Sequence, residues 1–281
     1  MSLPPAVQPA KRPRLRLSRA NREPASRLYR LAAMIAHIGL TPLGRRDWRQ
    51  VQNLPLSGGI IVVCNHISRF DPVSFGDFLI WSGRWPRYLA KTALFQSKLV
   101  GWLLRTSESV PVDRASPRAS DALVPAQERL AQGKAVLIYP EGTETHDPDV
   151  WPMVARTGAA RLALETRVPV IPCAQWGAHR LIPPSPGLPR KIWGGQFSVI
   201  CGQPVDLSQF YDLEPTRQVL EVATTKIMDA ITELLVELRQ ETPPEDRWDR
   251  RLRRRVPQQR TLFEAGEAAD PADPPSAPAG Q

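Results

Sequence analysis

Short apolar runs rich in β-branched residues recur along the chain, separated by stretches with helical spacing. The clearest run, Ile60–Cys64, follows Ser-Gly-Gly and contains no polar residue, which is typical of a buried strand. Similar runs cover residues 87–90, 109–112, 135–139, 170–175 and 197–201. Strands that alternate with helices predict an α/β fold, in which a mixed and mostly parallel sheet is flanked by helices.

Helical spacing is found in three segments after the first strands, residues 116–132, 157–166 and 213–239. Near the N-terminus, Leu28, Leu31, Ile35 and Ile38 recur at steps of three and four residues, the period of one helix face. This predicts an N-terminal amphipathic helix. Two interpretations stay open, because such a helix can pack on the core or lie in a membrane interface.

The net charge of +9 is concentrated in the N-terminal flank. Residues 1–30 hold eight Lys or Arg and one Glu, whereas residues 243–281 hold seven residues of each sign. Residues 1–24 are rich in Pro and Arg with little to bury, which predicts a disordered basic arm. Residues 243–281, Arg-rich first and then acidic and rich in Pro and Ala, predict a disordered tail. One folded domain is therefore expected over residues 25–242.

Cysteine usage and hydropathy limit the possible environments of the chain. Cys64, Cys173 and Cys201 lie in apolar strand-like runs without metal-ligand spacing, so we expect buried thiols in a reducing compartment. The longest weakly polar stretch, residues 31–43, is too short for a helix that crosses a bilayer, which needs about 20 residues. No secretory signal is evident. We therefore expect a chain that does not span the membrane.

Polar residues suited to acid–base chemistry directly follow the first strand, in residues 65–71 (NHISRFD). A short turn can fold the Asp71 carboxylate back onto the His66 imidazole. Such a carboxylate fixes the tautomer of the ring and stabilises its protonated form. A helix-capping Asp71 beside an incidental His66 explains the same two residues when they are taken alone.

Polar turns follow two further strands. Residues 139–143 (YPEGT) place Glu141 at a strand end, and Arg114 follows the strand 109–112 as a cation whose fork geometry suits phosphate. Taken in chain order, four segments resemble the glycerophospholipid acyltransferase family. They are residues 65–71, 109–114, 139–143 and the proline-edged strand 168–173. The best-known members of that family acylate 1-acylglycerol-3-phosphate. The resemblance covers about residues 55–205, and residues 151–177 resemble an actinobacterial branch of the family.

The resemblance implies a reaction and a role for each matching residue. A fatty acyl group would pass from acyl-CoA or acyl-carrier protein to a hydroxyl of a lysophospholipid, without cofactor or metal. His66 and Asp71 match the catalytic His-x4-Asp block, with His66 as general base and Asp71 as its orienting group. Glu141, Gly142 and Thr143 match the third block, and residues 91–95 match a Lys-x-x-Leu-Phe segment. The residues implied in acceptor binding are Lys91, Arg114, Glu141, Gly142 and Thr143.

Two positions depart from the pattern of the family. Glu108 stands where the second block usually begins with glycine, and Glu144 stands where arginine usually follows the threonine of the third block. An acidic residue near the expected phosphate site leaves the acceptor open. Glycerol-3-phosphate and a glycolipid are the alternatives to 1-acylglycerol-3-phosphate.

The resemblance further implies a peripheral protein at the cytoplasmic face of the plasma membrane. The basic arm and the apolar face of residues 28–40 would bind anionic lipid. A catalytically inactive membrane-binding scaffold is an alternative. So is a metal-dependent hydrolase that uses His66, Asp71, Glu141 and His146, although these lack tight ligand spacing. No nucleic-acid partner is expected, because residues 1–24 contain no aromatic residues for base stacking.

Overall fold

The computed structural model describes residues 17–112, 123–184 and 193–262. A seven-stranded sheet lies at its centre, and six of its strands correspond to the apolar runs of the sequence. The strands are β1 (Gly44–Arg49), β2 (Ile60–Cys64), β3 (Pro86–Lys91), β4 (Val110–Val112), β5 (Ala135–Ile138), β6 (Val170–Trp176) and β7 (Gly195–Cys201). Their spatial order is β1-β7-β6-β2-β5-β3-β4, and every neighbouring pair is parallel except β6 and β7. The prediction of a mixed, mostly parallel α/β sheet is confirmed.

Helices cover both faces of this sheet. They are α1 (Leu17–Ala20), α2 (Arg27–Leu43), α3 (Asp71–Trp81), α4 (Lys98–Thr106), α5 (Val124–Ala131), α6 (Gly158–Thr166), α7 (Ala178–Leu181) and α8 (Arg217–Arg239). Short 3-10 turns occur at Val51–Asn53, Thr92–Gln96 and Ser208–Phe210. A two-stranded antiparallel hairpin, β8 (Arg247–Asp249) and β9 (Arg254–Val256), follows α8.

The strand β2 is buried along its whole length because both of its faces are covered. Successive side chains of a strand point to opposite faces. Ile61 and Val63 pack in the cluster that contains residues of α5, α6 and α8, whereas Ile60 and Val62 pack with Phe75 and others of α3. The sheet is thus the middle of three layers, and the ends of β2 are held rigidly between helices.

The carboxyl ends of β2 and β5 lie side by side, which brings two polar turns together. The two strands are parallel neighbours in a register that pairs Ile60 with Ala135 and Val63 with Ile138. In sheets of this kind the chemistry tends to lie just beyond the carboxyl ends of the strands. The turn with His66 and the turn with Glu141 therefore leave the sheet at the same place.

The helix α2 differs from an ordinary core helix. It buries Tyr29, Ala33 and Leu40, and the Tyr29 hydroxyl donates to the Pro86 carbonyl. The four residues that predicted the helix are exposed: Leu28 by 54%, Leu31 by 55%, Ile35 by 63% and Ile38 by 67%. The apolar periodicity thus marks a surface that the rest of the described protein leaves uncovered.

Several elements were not predicted from the sequence, among them β1, α4 and the β8–β9 hairpin. β1 (GRRDWR) has no apolar run, and it forms at the edge of the sheet because β7 supplies its hydrogen-bonding partner. α4 is only nine residues long. The predicted helix 116–132 is observed as α5, and its first residues, like the loop residue Arg114, lie outside the described residues.

The structure corrects the prediction of disorder in both flanks. Residues 17–24, the end of the predicted basic arm, are ordered because Glu23 pairs with the buried guanidinium groups of Arg84 and Arg87. Residues 243–262 of the predicted tail include the β8–β9 hairpin, which is held by ion pairs of Arg247 and Arg255. Buried charges need such partners. Residues 1–16 and 263–281 lie outside the described residues.

The three cysteines are buried and unpaired, as their apolar surroundings predicted. Across the described ranges, no helix combines the length and apolar character that a transmembrane span requires.

Candidate active site

The imidazole of His66 and the carboxylate of Asp71 form a hydrogen-bonded pair beyond the carboxyl end of β2. The distance from Nδ1 of His66 to Oδ2 of Asp71 is 2.8 Å. A carboxylate accepts hydrogen bonds, so this contact places the proton of the neutral ring on Nδ1 and leaves Nε2 as the basic nitrogen. The His66 side chain is 16% exposed and that of Asp71 is fully buried, so a reactant can reach the ring but not the carboxylate.

The turn between His66 and Asp71 is built around one carboxylate oxygen. Oδ2 of Asp71 also accepts the main-chain N–H groups of Ile67, at 2.6 Å, and Ser68, at 2.9 Å. Asp71 is the first residue of α3, and Pro72 occupies the first turn of that helix, where a proline costs no hydrogen bond. The helix-capping interpretation of Asp71 is wrong, because α3 begins without a side-chain cap and the Asp71 carboxylate holds the turn before the helix.

Burial raises the pKa of Asp71, and the hydrogen bond and charge of His66 lower it in part. Its second oxygen, Oδ1, is buried and meets no hydrogen-bond partner within the described ranges. The Tyr139 ring stacks on His66 with 4.3 Å between ring centres and 23° between planes. These contacts hold the imidazole in one orientation.

Asn65 fixes the main chain just before His66. Its side chain accepts from the N–H of Gln175, at 2.8 Å, and donates to the Gln175 carbonyl, at 3.1 Å. The Gln175 side chain donates in return to the Asn65 carbonyl, at 2.9 Å. These three bonds join the ends of β2 and β6. We did not assign a role to Asn65 from the sequence, although its position directly before His66 was a signal for one.

The Glu141 carboxylate joins the His66 turn to the loop that follows β5. Oε1 accepts the main-chain N–H of His66, and Oε2 accepts the main-chain N–H of Met153, both at 2.9 Å. Burial raises the pKa of Glu141 to about 7, although both N–H groups lower it. Because main-chain donors occupy both oxygens, Glu141 shapes the site.

Gly142 and Thr143 continue the same turn, in which Gly142 has a φ of +75° that favours glycine. Gly142 also lines a cavity of about 230 Å³, together with Tyr139 and the exposed Arg156. Lys91 lies exposed at the carboxyl end of β3, the strand beside β5. The structure thus brings Lys91, Glu141, Gly142 and Thr143 to the same edge of the sheet as His66. Arg114 lies outside the described residues.

The two acidic departures have structural partners. Glu144 accepts from Nε of Arg69 at 3.2 Å, so its charge is paired within the site. Glu108 has a φ of +56°, a region that favours glycine and costs another residue about 1–2 kcal/mol. Ion pairs with Arg87 and Lys134 hold it there. The glycine that usually stands at this position suits the same backbone conformation.

His146 does not join the other three residues of the metal-hydrolase alternative. His146 is exposed, and its main-chain N–H donates to the Met153 sulfur. Within the parts of the chain that the structure describes, no three His, Cys, Asp or Glu side chains are grouped as metal ligands would be.

Comparison with known proteins relates this chain to acyltransferases. A family profile described as Acyltransferase matches residues 45–176. The 1-acyl-sn-glycerol-3-phosphate acyltransferase of Bacillus subtilis is 31% identical over 211 residues, which cover 74% of this chain and 96% of that protein. A chloroplastic 1-acyl-sn-glycerol-3-phosphate acyltransferase of Brassica napus is 30% identical over 62% of this chain, which spans about half (49%) of that protein.

A solved structure shares the fold. The crystal structure of the 1-acyl-sn-glycerophosphate (LPA) acyltransferase from Thermotoga maritima superposes with a TM-score of 0.59 at 22% identity, covering 77% of this chain and 82% of the other. At that identity the match shows the architecture, the mostly parallel sheet flanked by helices.

Proposed function

Because this chain belongs to the acyltransferase family and is an O-acyltransferase, we propose that its acceptor is 1-acylglycerol-3-phosphate and its product phosphatidic acid. The observation that carries the proposal is the His66–Asp71 pair at the carboxyl end of β2, next to a turn that binds the His66 main chain. The relatives from Bacillus subtilis and Brassica napus bear the name of this activity.

In the proposed reaction His66 is the general base. A glycerol hydroxyl is a poor nucleophile, so Nε2 of His66 removes its proton as the oxygen attacks the carbonyl carbon of the acyl thioester. When the tetrahedral intermediate collapses, the carbon–sulfur bond breaks and the imidazolium returns the proton to the departing thiolate. Asp71 stabilises the imidazolium between these two steps.

Binding of the acceptor phosphate requires cationic side chains. We assign the acceptor phosphate to Lys91 and Arg114, as the family resemblance implies, with Glu141, Gly142 and Thr143 forming the adjacent turn. Glu144, which departs from the pattern of the family, is paired with Arg69 and therefore does not present an unpaired carboxylate to the phosphate. Arg156 offers another cation on the wall of the cavity that Gly142 lines. Charge-assisted hydrogen bonds to phosphate are strong, so these residues would hold the hydroxyl in place.

The acceptor carries a fatty chain, and an uncovered apolar surface supports docking on a membrane. α2 packs against α4, and both helices expose apolar side chains. On α4 and the turn before it, Leu94 is 45% exposed, Leu99 74%, Val100 43% and Trp102 39%. Residues 27–43 and 91–107 contain five Lys or Arg and no Asp or Glu. An apolar face with only positive charge suits an anionic lipid surface.

We propose that the enzyme works as a peripheral protein at the cytoplasmic face of the plasma membrane. Free buried thiols are compatible with a reducing compartment. Acyl-CoA and acyl-carrier protein are both proposed as donors, and neither the reaction nor the proposed residues call for a cofactor.

An acceptor screen tests the proposal. Purified protein is incubated with acyl-CoA or with acylated acyl-carrier protein and, in turn, 1-acylglycerol-3-phosphate, glycerol-3-phosphate or a glycolipid in mixed micelles. Products are measured by mass spectrometry. We expect phosphatidic acid to form fastest. Faster acylation of glycerol-3-phosphate or the glycolipid would reassign the acceptor, and the absence of acylation with every acceptor and with both donors would favour the inactive scaffold.

A further inference from the structure

The loop between β5 and α6 (residues 139–157, here the β5–α6 loop) carries more than the Glu141 turn. At one side it contacts the catalytic segment directly. The Thr145 N–H donates to the His66 carbonyl at 2.7 Å, and the Met153 N–H donates to Glu141, which in turn accepts the N–H of His66. Both main-chain polar groups of His66 are therefore held by this loop.

At the other side the same loop is held by the β8–β9 hairpin (residues 247–256). The N–H of Val154, the residue after Met153, donates to the Trp248 carbonyl at 3.0 Å. Arg255 makes a forked ion pair with the buried Asp147 at 2.9–3.1 Å and also binds Asp149 at 2.8 Å.

Asp147 transmits this contact into the loop. Its carboxylate accepts the Asp149 N–H at 2.8 Å, and its own N–H donates to the Thr145 hydroxyl at 3.2 Å. Only one residue separates Asp147 from Thr145, which binds the His66 carbonyl. A short chain of contacts therefore runs from Arg255 through Asp147 and Thr145 to His66.

The hairpin is itself anchored to the core helix α8. Arg247 is buried and donates to the Thr232 hydroxyl and the Asp229 carboxylate of that helix. Arg239, the last residue of α8, stacks on the Trp151 ring of the loop at 3.9 Å and donates to the Asp149 carbonyl at 2.8 Å. The loop thus lies between the catalytic segment and a rigid support.

We infer that the β8–β9 hairpin is a positioning element of the active site. Arg255 of the hairpin binds Asp147 of the β5–α6 loop, and through this contact it fixes the loop that holds the N–H and the carbonyl of His66. The inference rests on the proposed role of His66 as general base. The imidazole must meet the acceptor hydroxyl within hydrogen-bond reach, and small displacements of a catalytic group are costly in rate. None of these hairpin residues touches substrate in this scheme.

The test compares Arg255→Ala with Arg254→Ala in the full chain. Arg254 is the neighbouring exposed arginine of β9, so the two variants remove the same charge from the same strand. We expect Arg255→Ala to lower kcat about 10- to 100-fold with little change in KM for acyl-CoA, because misplaced groups cost rate more than binding. Arg254→Ala is expected to match the wild type.

A readout independent of turnover is the imidazole ¹⁵N spectrum of protein labelled at histidine. The chain has four histidines, and the loss of a signal in His66→Gln assigns that ring. If the hairpin positions the dyad, the His66 ring signals shift in Arg255→Ala and not in Arg254→Ala. If Arg255→Ala leaves both the His66 ring signals and kcat unchanged while the wild type is active, the inference is overturned. Absence of acyl transfer in the wild type would instead refute the proposed function.

A double-mutant cycle separates positioning from support of the fold. Asp147→Asn, Arg255→Ala and the combined variant are compared in kcat and in Tm. We expect the combined loss in kcat to be smaller than the product of the two single losses, since both residues act through one contact. Coupling confined to Tm would show a structural role only. If Arg255→Ala does not fold, Arg255→Lys, which retains one ion pair, is measured by the same spectrum and rates.

Discussion

The Nδ1 atom of His66 lies 2.8 Å from Oδ2 of Asp71, and this one oxygen also receives the main-chain N–H groups of the two residues that follow His66. A single carboxylate oxygen therefore sets the turn and orients the ring at the same time. The geometry of the turn and the orientation of the His66 ring cannot be changed independently.

Replacing His66 by Ala should abolish acyl transfer while the fold is retained. The ring stacks on Tyr139 but carries little of the core packing, whereas loss of a general base typically costs about 10²–10⁴ in rate. Initial rates and thermal unfolding curves measure the two effects. His146→Ala, an exposed histidine in the adjacent loop, is the control. Retention of more than half of the wild-type turnover would show that His66 is not the base.

Replacing Asp71 by Asn should also impair turnover severely, by about 10²-fold or more, because the amide lacks the charge that stabilises the imidazolium. Asp77→Asn is a matched control on the same helix. Asp77 is also buried, and it pairs with His37 and Arg46 away from the catalytic pair. We expect both variants to lose stability and only Asp71→Asn to lose turnover per folded molecule. Equal turnover in the two variants would show that Asp71 only supports the structure of the turn.

Replacing Lys91 by Ala should raise KM for the phosphorylated acceptor about tenfold and leave KM for acyl-CoA nearly unchanged. A phosphate without its cation loses charge-assisted hydrogen bonds worth about 1.5–3 kcal/mol. Steady-state kinetics with each substrate varied in turn gives both constants, and Lys226→Ala on α8 is the control. Arg114→Ala should behave in the same way as Lys91→Ala. Equal changes for both substrates would indicate that neither cation is specific to the acceptor.

Polar substitutions on the exposed apolar face should weaken membrane binding. The double substitution Ile35→Ser/Ile38→Ser on α2 and the substitution Leu99→Ser on α4 each remove apolar surface. Each Å² of apolar surface that would enter the lipid contributes about 25 cal/mol to the free energy of binding. Sedimentation with vesicles that contain anionic lipid measures the loss, and high salt should release part of the bound protein because it screens the basic residues. Deletion of residues 1–40 should reduce binding further.

The matched control for this surface is Leu56→Ser. Leu56 is 71% exposed but lies before β2, at the opposite end of that strand from His66. Binding unaffected by salt and by every substitution on α2 and α4 would move the docking surface elsewhere. Unfolding on deletion of 1–40 would indicate that α2 is needed for the fold.

The pH dependence of stability should contain a contribution from Glu141. Burial raises its pKa from 4.5 to about 7, so between these values the folded state binds more protons than the unfolded state. The contribution is fully present below pH 4.5 and is lost as the pH rises through 7, by about 3 kcal/mol in all. Urea unfolding of wild type and Glu141→Gln across this window isolates it. A difference between the two proteins that does not fall with rising pH would contradict the prediction.

Local sequence patterns predicted the elements whose formation depends on their own residues. β2 and β5 are uninterrupted apolar runs, and β6 and β7 each contain a shorter one. Burial of such runs is favourable wherever both faces of the sheet are covered. The His66–Asp71 contact was predictable because the four residues between them form a turn that brings both side chains together. β1 and the hairpin escaped prediction because their residues are mainly charged. They become ordered through partners far away in the chain, β7 for one and Asp229 and Asp147 for the other.

The sequence by itself determined the strand cores, the helix face of residues 28–38 and the reactive pair, since each follows from side chains a few positions apart. Only the tertiary structure decided that this face stays uncovered, that Glu141 binds the His66 main chain across 75 positions, and that Arg255 holds the loop containing Asp147. The physical reason is that a buried charge or a buried, unbonded N–H group must find a partner, and any group of suitable chemistry can serve. Which partner it meets depends on how the whole sheet and its helices pack.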